Sequence, residues 1–247
     1  MTNPHGELII SLASGEWLAC TFNAPPKPVG LAVICHGLTG DRVGPGGLLK
    51  DLAAALTAQG LAAIRFDARG CGDSSHPAEH PTVTSMAQDA RTAADHGLAE
   101  LSSSVPVIYC GISLGALAAA SAAANDPLAH GLVAVSSDLS DGDQRPPPPR
   151  LIRGGEHELP TLFPRDLTTH KPLADLDFRR VSAVVVRGGL DKPIGNRAAL
   201  TALGIDIHEI PDGDHLFQRA EPRAAMTRVV VANAARMIKL GTINVEQ

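Results

Sequence analysis

Three residues stand where a strand hands over to a loop or helix and carry the right atoms for covalent chemistry: Ser113, Asp191 and His215. Ser113 is the centre of Gly111-Ile112-Ser113-Leu114-Gly115, which directly follows an apolar, strand-like run and directly precedes an Ala-rich segment. A turn this tight leaves no room for bulk beside the serine, so glycine on both flanks relieves crowding while the hydroxyl is lifted to the edge of a sheet. The helix opening there points N–H dipoles at the same edge. A serine hydroxyl is a weak nucleophile near neutral pH and needs an adjacent base, and imidazole, with an ordinary pKa near ~6.5, suits that work. Of the ten histidines, His215 lies in Asp212-Gly213-Asp214-His215-Leu216-Phe217, a turn between the last strand and the last helix from which a side chain can reach back over the sheet edge. Asp191 follows Val184-Val185-Val186-Arg187-Gly188-Gly189-Leu190, so a buried strand delivers a carboxylate that can accept from the imidazole and orient it. Capping of the next helix is the plainer alternative for Asp191.

The remaining histidines divide by position. His36, next to Gly37, suits a loop-shaping hydrogen bond better than proton transfer, although both residues stand as candidate substrate contacts. His157 and His170 lie in an irregular segment and are further candidate substrate contacts, whereas His76 and His80 read as exposed loop residues. His5, His96, His130 and His208 read as structural or solvent-facing.

The elements that must position these groups alternate in type. Short apolar runs bounded by Gly, Pro and polar residues, at Leu8–Leu12, Glu16–Phe22, Val29–Cys35, Leu61–Phe66, Val105–Cys110, Gly131–Val135, Val181–Val186 and Ile205–Ile210, read as strands. Ser14-Gly15 makes the first two a hairpin. Between the later strands lie helical patterns: Leu48 to Leu56 before Gly60, Met86 to Leu98, Leu114 to Ala124, Asn196 to Leu203, and a last helix from Pro222 to Gly241. This is the α/β rhythm of a parallel sheet with crossover helices. It breaks at 138–180, where Pro146 to Pro149 and Gly154-Gly155 mark a lid or cap insertion after the sixth strand of a single 1–247 domain.

Composition narrows the partners. A chain of 247 residues with formal charge −5 and no run of more than two Lys or Arg carries no nucleic-acid footprint. The polar start, Met1 to Gly6, lacks the pattern of a secretory signal, and no apolar stretch is long enough to span a bilayer, so a cytoplasmic protein without membrane contact is the expectation. Cys20, Cys35, Cys71 and Cys110 form no CxxC pair, which fits reduced, buried thiols and argues against a metal site. One Trp and one Tyr do not suggest an aromatic sugar platform. Arg145, Arg150, Arg153, Arg165, Arg179 and Arg180 of the insertion are nearly balanced by Glu156, Glu158, Asp166, Asp175 and Asp177, which argues against a polyanion site.

With its strand–turn–helix context, the Ser113 motif closely resembles that of the α/β-hydrolase superfamily, and the resemblance runs through nearly the whole chain outside 138–180. His36-Gly37-Leu38-Thr39-Gly40 looks like the family's oxyanion loop, and Phe66-Asp67-Ala68-Arg69-Gly70-Cys71-Gly72-Asp73-Ser74 looks like its fourth-strand loop. Asp191 and His215 fall where the family places acid and base, in the chain order Ser, Asp, His. The resemblance implies a three-layer fold with a mostly parallel sheet of about eight strands and helices on both faces. It assigns the oxyanion-binding N–H groups to Leu38 and Leu114. Some members carry the acid after the sixth strand, which keeps Asp138 as the alternative to Asp191. Leu38-Thr39 follows His36-Gly37 where some lipases and esterases have further glycines, so that subgroup is not indicated. Arg69 and Asp73 read as an internal ion pair or turn. The implied activity is hydrolysis of ester or thioester bonds in small to medium acyl substrates, without a cofactor. Because one scaffold hosts several chemistries, a biosynthetic lyase, isomerase or cyclase and a non-catalytic ligand binder remain as alternatives.

Overall fold

Apolar residues on both faces of a strand demand cover on both faces, and the chain meets that demand with one sheet between two layers of helices. The computed structural model describes residues 5–77, 80–146, 148–192 and 194–245. β1 (His5–Ser11) and β2 (Trp17–Asn23) form an antiparallel hairpin paired from His5↔Asn23 to Ser11↔Trp17. There follow β3 (Leu31–Cys35), α1 (Leu48–Ala58), β4 (Ala62–Phe66), α2 (Val83–Leu101), β5 (Val107–Ile112), α3 (Leu114–Ala124) and β6 (Ala129–Val135). The segment after β6 holds a two-stranded hairpin of β7 (Leu151–Ile152) and β8 (His157–Glu158), then the short helices α4 (Phe163–Thr168) and α5 (Pro172–Asp175). β9 (Ser182–Gly188), α6 (Arg197–Ala202), β10 (Asp206–Ile210) and α7 (Ala220–Val245) complete the order.

The eight long strands lie in the order β1-β2-β4-β3-β5-β6-β9-β10. β1 and β2 run antiparallel, β2 runs antiparallel to β4, and the other neighbours are parallel. This is the mostly parallel α/β-hydrolase sheet the sequence implies. Successive side chains of a strand point to opposite faces, and the core divides accordingly. Val33, Ile64, Tyr109, Ala134 and Val185 pack against Met86, Ala90 and Leu117 of α2 and α3. Ile34, Ala63, Ile108, Val133 and Val184 pack against Leu52 and Leu56 of α1 and Met226 and Val230 of α7. α3 is buried along nearly its whole length because its alanines let it lie close to the sheet.

Local boundaries move for identifiable reasons. α2 begins at Val83, ahead of the apolar period, because Thr82 and Ser85 form a reciprocal capping box. β5 ends at Ile112, two residues past the expected end, so the strand delivers Ser113 directly. The segment 138–180 carries regular elements that its composition does not announce. It is tied to α2, where Asp166 Oδ2 accepts from the Thr84 N–H at 3.1 Å and His170 Nε2 meets Thr84 Oγ1 at 3.2 Å. All four cysteines are buried free thiols, and burial pushes Cys20 and Cys71 up to about 12. Among the described residues, no helix is long and apolar enough to cross a membrane.

Candidate active site

Ser113 sits between β5 and α3 with φ 56° and ψ −120°, a conformation that non-glycine residues adopt only when their surroundings enforce it. The enforcement is steric. A Cβ on Gly111 would overlap Gly115 O and lie 2.5 Å from Ala116 Cα, and one on Gly115 would overlap His36 O and lie 2.5 Å from Cys35 O. The helix therefore starts in direct backbone contact with β3 and β5, and the Ser113 N–H donates to Val135 O at 2.8 Å, which ties the turn to β6. The serine hydroxyl has little freedom of position.

His215 arrives from the β10–α7 turn. His215 Nε2 lies 3.0 Å from Ser113 Oγ, and His215 Nδ1 lies 2.8 Å from Asp191 Oδ2. With the Nδ1 proton donated to the carboxylate, Nε2 faces the serine as an acceptor. The His215 side chain is 46% exposed and the Asp191 side chain 13%. Asp214, in the same turn, accepts from the N–H groups of Leu216 and Gln218 through Oδ1 and so fixes the turn's shape. Asp138 makes no hydrogen bond to His215. Its Oδ1 accepts from the Ser140 N–H at 3.0 Å and faces Arg145 Nη2 at 3.4 Å. Burial works to raise its pKa, but hydrogen bonds from Ser140 and the charge of Arg145 outweigh burial and hold it below the usual carboxylate range.

Leu38 and Leu114 lie on either side of the serine. A Cβ on Gly37 would meet Ser113 Cβ at 3.4 Å, which places the loop carrying Leu38 against Ser113. Among the described residues the N–H groups of Leu38 and Leu114 have no acceptor, whereas the Ser113 N–H donates to Val135 O at 2.8 Å and the Gly40 N–H to Gly37 O at 3.0 Å. His36 is buried, and both ring nitrogens are occupied: Nδ1 lies 2.7 Å from Gly37 O, and Nε2 accepts from the Ala68 N–H at 2.9 Å. It braces the loop and offers no nitrogen to a substrate. His170 is likewise buried and engaged with Thr84, so it ties the insertion down and does not face the serine. Of these two candidate substrate contacts, each ring is engaged by partners within the protein. His157 is exposed on β8 and borders a separate cavity of about 470 Å3 with Thr39, Gly70, His76, His80 and Pro160. Arg69 pairs with Asp89 and Glu16, and Asp73 with Arg42, so both are internal ion pairs.

Sequence reasoning missed the supports of this arrangement. Asp67, whose side chain is 0% exposed, receives the Arg42 guanidinium and accepts from the Arg42 N–H at 2.5 Å and the Asp73 N–H at 2.8 Å. That single carboxylate holds the loops after β3 and β4 together. Arg187 donates from Nη2 to Asp191 O at 2.6 Å and from Nη1 to Glu209 at 2.6 Å, which anchors the Asp191 loop to β10. Ser136 Oγ donates to His215 O at 2.7 Å. The available signal was a charged residue at the end of a buried strand, Asp67 after Phe66 and Arg187 after Val186, because such a charge must find a partner inside. Among the described residues no group of three His, Cys, Asp or Glu is placed to hold a metal ion.

No curated protein matches the chain. Among solved structures, Est1E from Butyrivibrio proteoclasticus with ferulic acid bound superposes with a TM-score of 0.78 at 18% identity, covering 94% of this chain and 99% of that one. The esterase domain of a Rhodothermus marinus protein gives 0.71 at 22% identity over 94% and 98%. XC6422 from Xanthomonas campestris, a member of the α/β serine hydrolases without a lid, gives 0.61 at 19% over 92% and 94%. At these identities the likeness is one of fold. The family model described as serine aminopeptidase, S33, matches residues 26–182, well over half of the sequence. The chain belongs to that family and is an α/β hydrolase.

Proposed function

We propose that the protein is a serine hydrolase of carboxylic ester or thioester bonds in small to medium acyl substrates, working through an acyl-enzyme on Ser113. One observation carries the reading: His215 stands within hydrogen-bonding distance of Ser113 Oγ through one nitrogen and of Asp191 through the other, at 3.0 and 2.8 Å. Nothing in the packing of a strand end requires those three side chains to meet.

In the first half-reaction Ser113 Oγ attacks the carbonyl carbon as His215 Nε2 takes its proton. Asp191 holds the ring in the tautomer that can do so and stabilises the imidazolium. The carbonyl oxygen becomes an oxyanion, for which the unpartnered N–H groups of Leu38 and Leu114 are the donors, each such donor contributing about 3–4 kcal/mol in comparable sites. Collapse of the tetrahedral species breaks the bond to the leaving oxygen or sulfur, which receives the proton from His215. Water then enters, gives a proton to the same nitrogen and attacks the acyl carbon; collapse breaks the bond from that carbon to Ser113 Oγ, which takes the proton back from His215 as the carboxylic acid leaves.

The insertion at 138–180 is read as a cap that bounds the substrate on the β6 side. The test is a panel of p-nitrophenyl esters and acyl-thioesters of graded chain length, given to the parent and to Ser113→Ala. Turnover by the parent that falls about 10^4-fold or more in the variant supports the reading. Turnover that survives in the variant, or its absence throughout the panel without labelling of Ser113 by a fluorophosphonate, overturns it.

A further inference from the structure

A cleft of about 390 Å3 opens beside His215, lined by Ser136, Ser137, Asp138, Arg145, Lys192 and Ile194 together with Arg187 and Asp191. Its formal charges balance, Arg145, Arg187 and Lys192 against Asp138, Asp191 and the Glu209 that pairs with Arg187, but its open donors are cationic. Asp191 is taken by His215, and Arg187 is taken by Glu209 and by the Asp191 carbonyl. What remains is Asp138 with Arg145 and, elsewhere on the lining, Lys192. Arg145 comes from the insertion, and its side chain is 24% exposed. Its Nε donates to Ser140 O at 3.2 Å and its Nη2 reaches Asp138 only at 3.4 Å, while Nη1 has no acceptor among the described residues. Asp138 is already served by the Ser140 N–H at 3.0 Å, so it cannot be drawn closer without loss. Lys192, on the loop after β9, forms no ion pair among the described residues and is exposed.

We propose that this cleft receives one carboxylate carried on the leaving-group side of the substrate, held between Arg145 and Lys192. The proposal rests on Ser113 and His215 being nucleophile and base. It follows from where the atoms of the reaction must go. The base returns its proton to the leaving oxygen or sulfur, so the leaving group lies against His215. The carbonyl oxygen goes to Leu38 and Leu114, neither of which borders the cleft. A planar guanidinium with one edge open matches a carboxylate, and a partly desolvated cation gains more from a charged acceptor than an exposed one does. Burial holds Arg145 below its ordinary pKa, the sign of a charge that Asp138 compensates incompletely. The donors left open are one guanidinium edge and one ammonium, which match one carboxylate and not a polyphosphate. The volume lies within the range of about 300–1,000 Å3 usual for small-molecule sites.

The decisive substrates are 4-acetoxybenzoate and its methyl ester, which share the acyl group and differ in the charge of the leaving group. The quantity to measure is the ratio of kcat/KM on the acid to that on the methyl ester, in the parent and in Lys192→Gln, a substitution on an exposed side chain. The ratio is expected to fall about tenfold in the variant and further in Lys192→Gln/Arg145→Gln. A ratio unchanged by both overturns the proposal. A second arm does not depend on turnover: calorimetric binding of 4-hydroxybenzoate and methyl 4-hydroxybenzoate to Ser113→Ala. Tighter binding of the acid, weakened about tenfold by adding Lys192→Gln, supports the site. Equal or undetectable binding of the two ligands overturns it. Failure of the hydrolase reading appears separately, as no turnover of either ester by the parent, and leaves the binding arm to decide.

Discussion

The two sides of the candidate site are held in different ways. On the serine side, backbone packs on backbone: Gly115 lies against the carbonyls of β3, the Ser113 N–H is tied to Val135, and His36 and Asp67 brace the facing loop from positions almost closed to solvent. On the base side, side chains hang on hydrogen bonds, with His215 half exposed and its partner loop tethered by Arg187 and Ser136. Steric location is nearly all-or-none, because no small adjustment relieves an overlap between backbone atoms. Tethered location is graded, since each neutral hydrogen bond contributes only about 1 kcal/mol net. Substitutions on the serine side should therefore act through stability, and those on the base side through rate.

The largest effect expected of this contrast is on rate. Asp191→Asn keeps the size of the side chain but offers an N–H where Nδ1–H must donate, so the ring is steered to the wrong tautomer. kcat should drop about 10^3- to 10^4-fold with little change in KM or in the urea midpoint. A variant that retains more than a tenth of parental kcat would transfer the acid's role to Asp138, with Asp138→Asn as the companion measurement.

Next is the steric side. Gly115→Ala adds one methyl group whose carbon would lie 2.5 Å from Cys35 O, closer than real Cβ contacts come. The strand and helix must part, at an expected cost of about 3–4 kcal/mol or more in chemical denaturation. Retention of parental stability would show that the turn yields, and the distinction between the two sides would then fall.

The same contrast explains what could be read from the sequence. Glycine spacing around Ser113 is a local signal, because the crowding it relieves arises within a few residues of the serine. Strand and helix alternation is local as well, and all eight strands of the main sheet were visible as apolar runs. Tethers are not local. Arg42 finds Asp67 across 25 residues and Ser136 finds His215 across 79, and no pattern near either residue names its partner. Within the insertion, α4 has six residues and α5 four, too short to display a period. His36 and His170 look alike in sequence to a substrate-binding histidine, and the partners their rings find, Ala68 and Thr84, show only in three dimensions.

Burial of His36 gives the serine side a pH signature. Burial outweighs the hydrogen bond to Gly37 and holds its pKa below the ordinary histidine value, so the folded protein keeps the ring neutral where the unfolded chain protonates. Stability from this group is complete above the unfolded pKa of about 6.5 and is lost as pH falls toward the folded value, by up to about 1.4 kcal/mol per pH unit. The urea midpoint of the parent should therefore decline from about pH 6.5 to 5 more steeply than that of His36→Gln, even though the variant starts lower. Parallel curves would remove His36 as the acid-sensitive brace.

The smallest effect expected is at the insertion, where the tether to α2 lies away from Ser113. His170→Ala removes the contact with Thr84 Oγ1 at 3.2 Å but leaves the Asp166 link at 3.1 Å. Stability should fall by about 1 kcal/mol, the net worth of one such bond, with kcat/KM on p-nitrophenyl esters within about twofold of the parent. A loss of turnover without a change in the unfolding midpoint would return His170 to the substrate site. A loss of both would mean that the insertion's seat on α2 and the geometry at Ser113 are coupled, and the serine side could no longer be regarded as fixed by its own backbone alone.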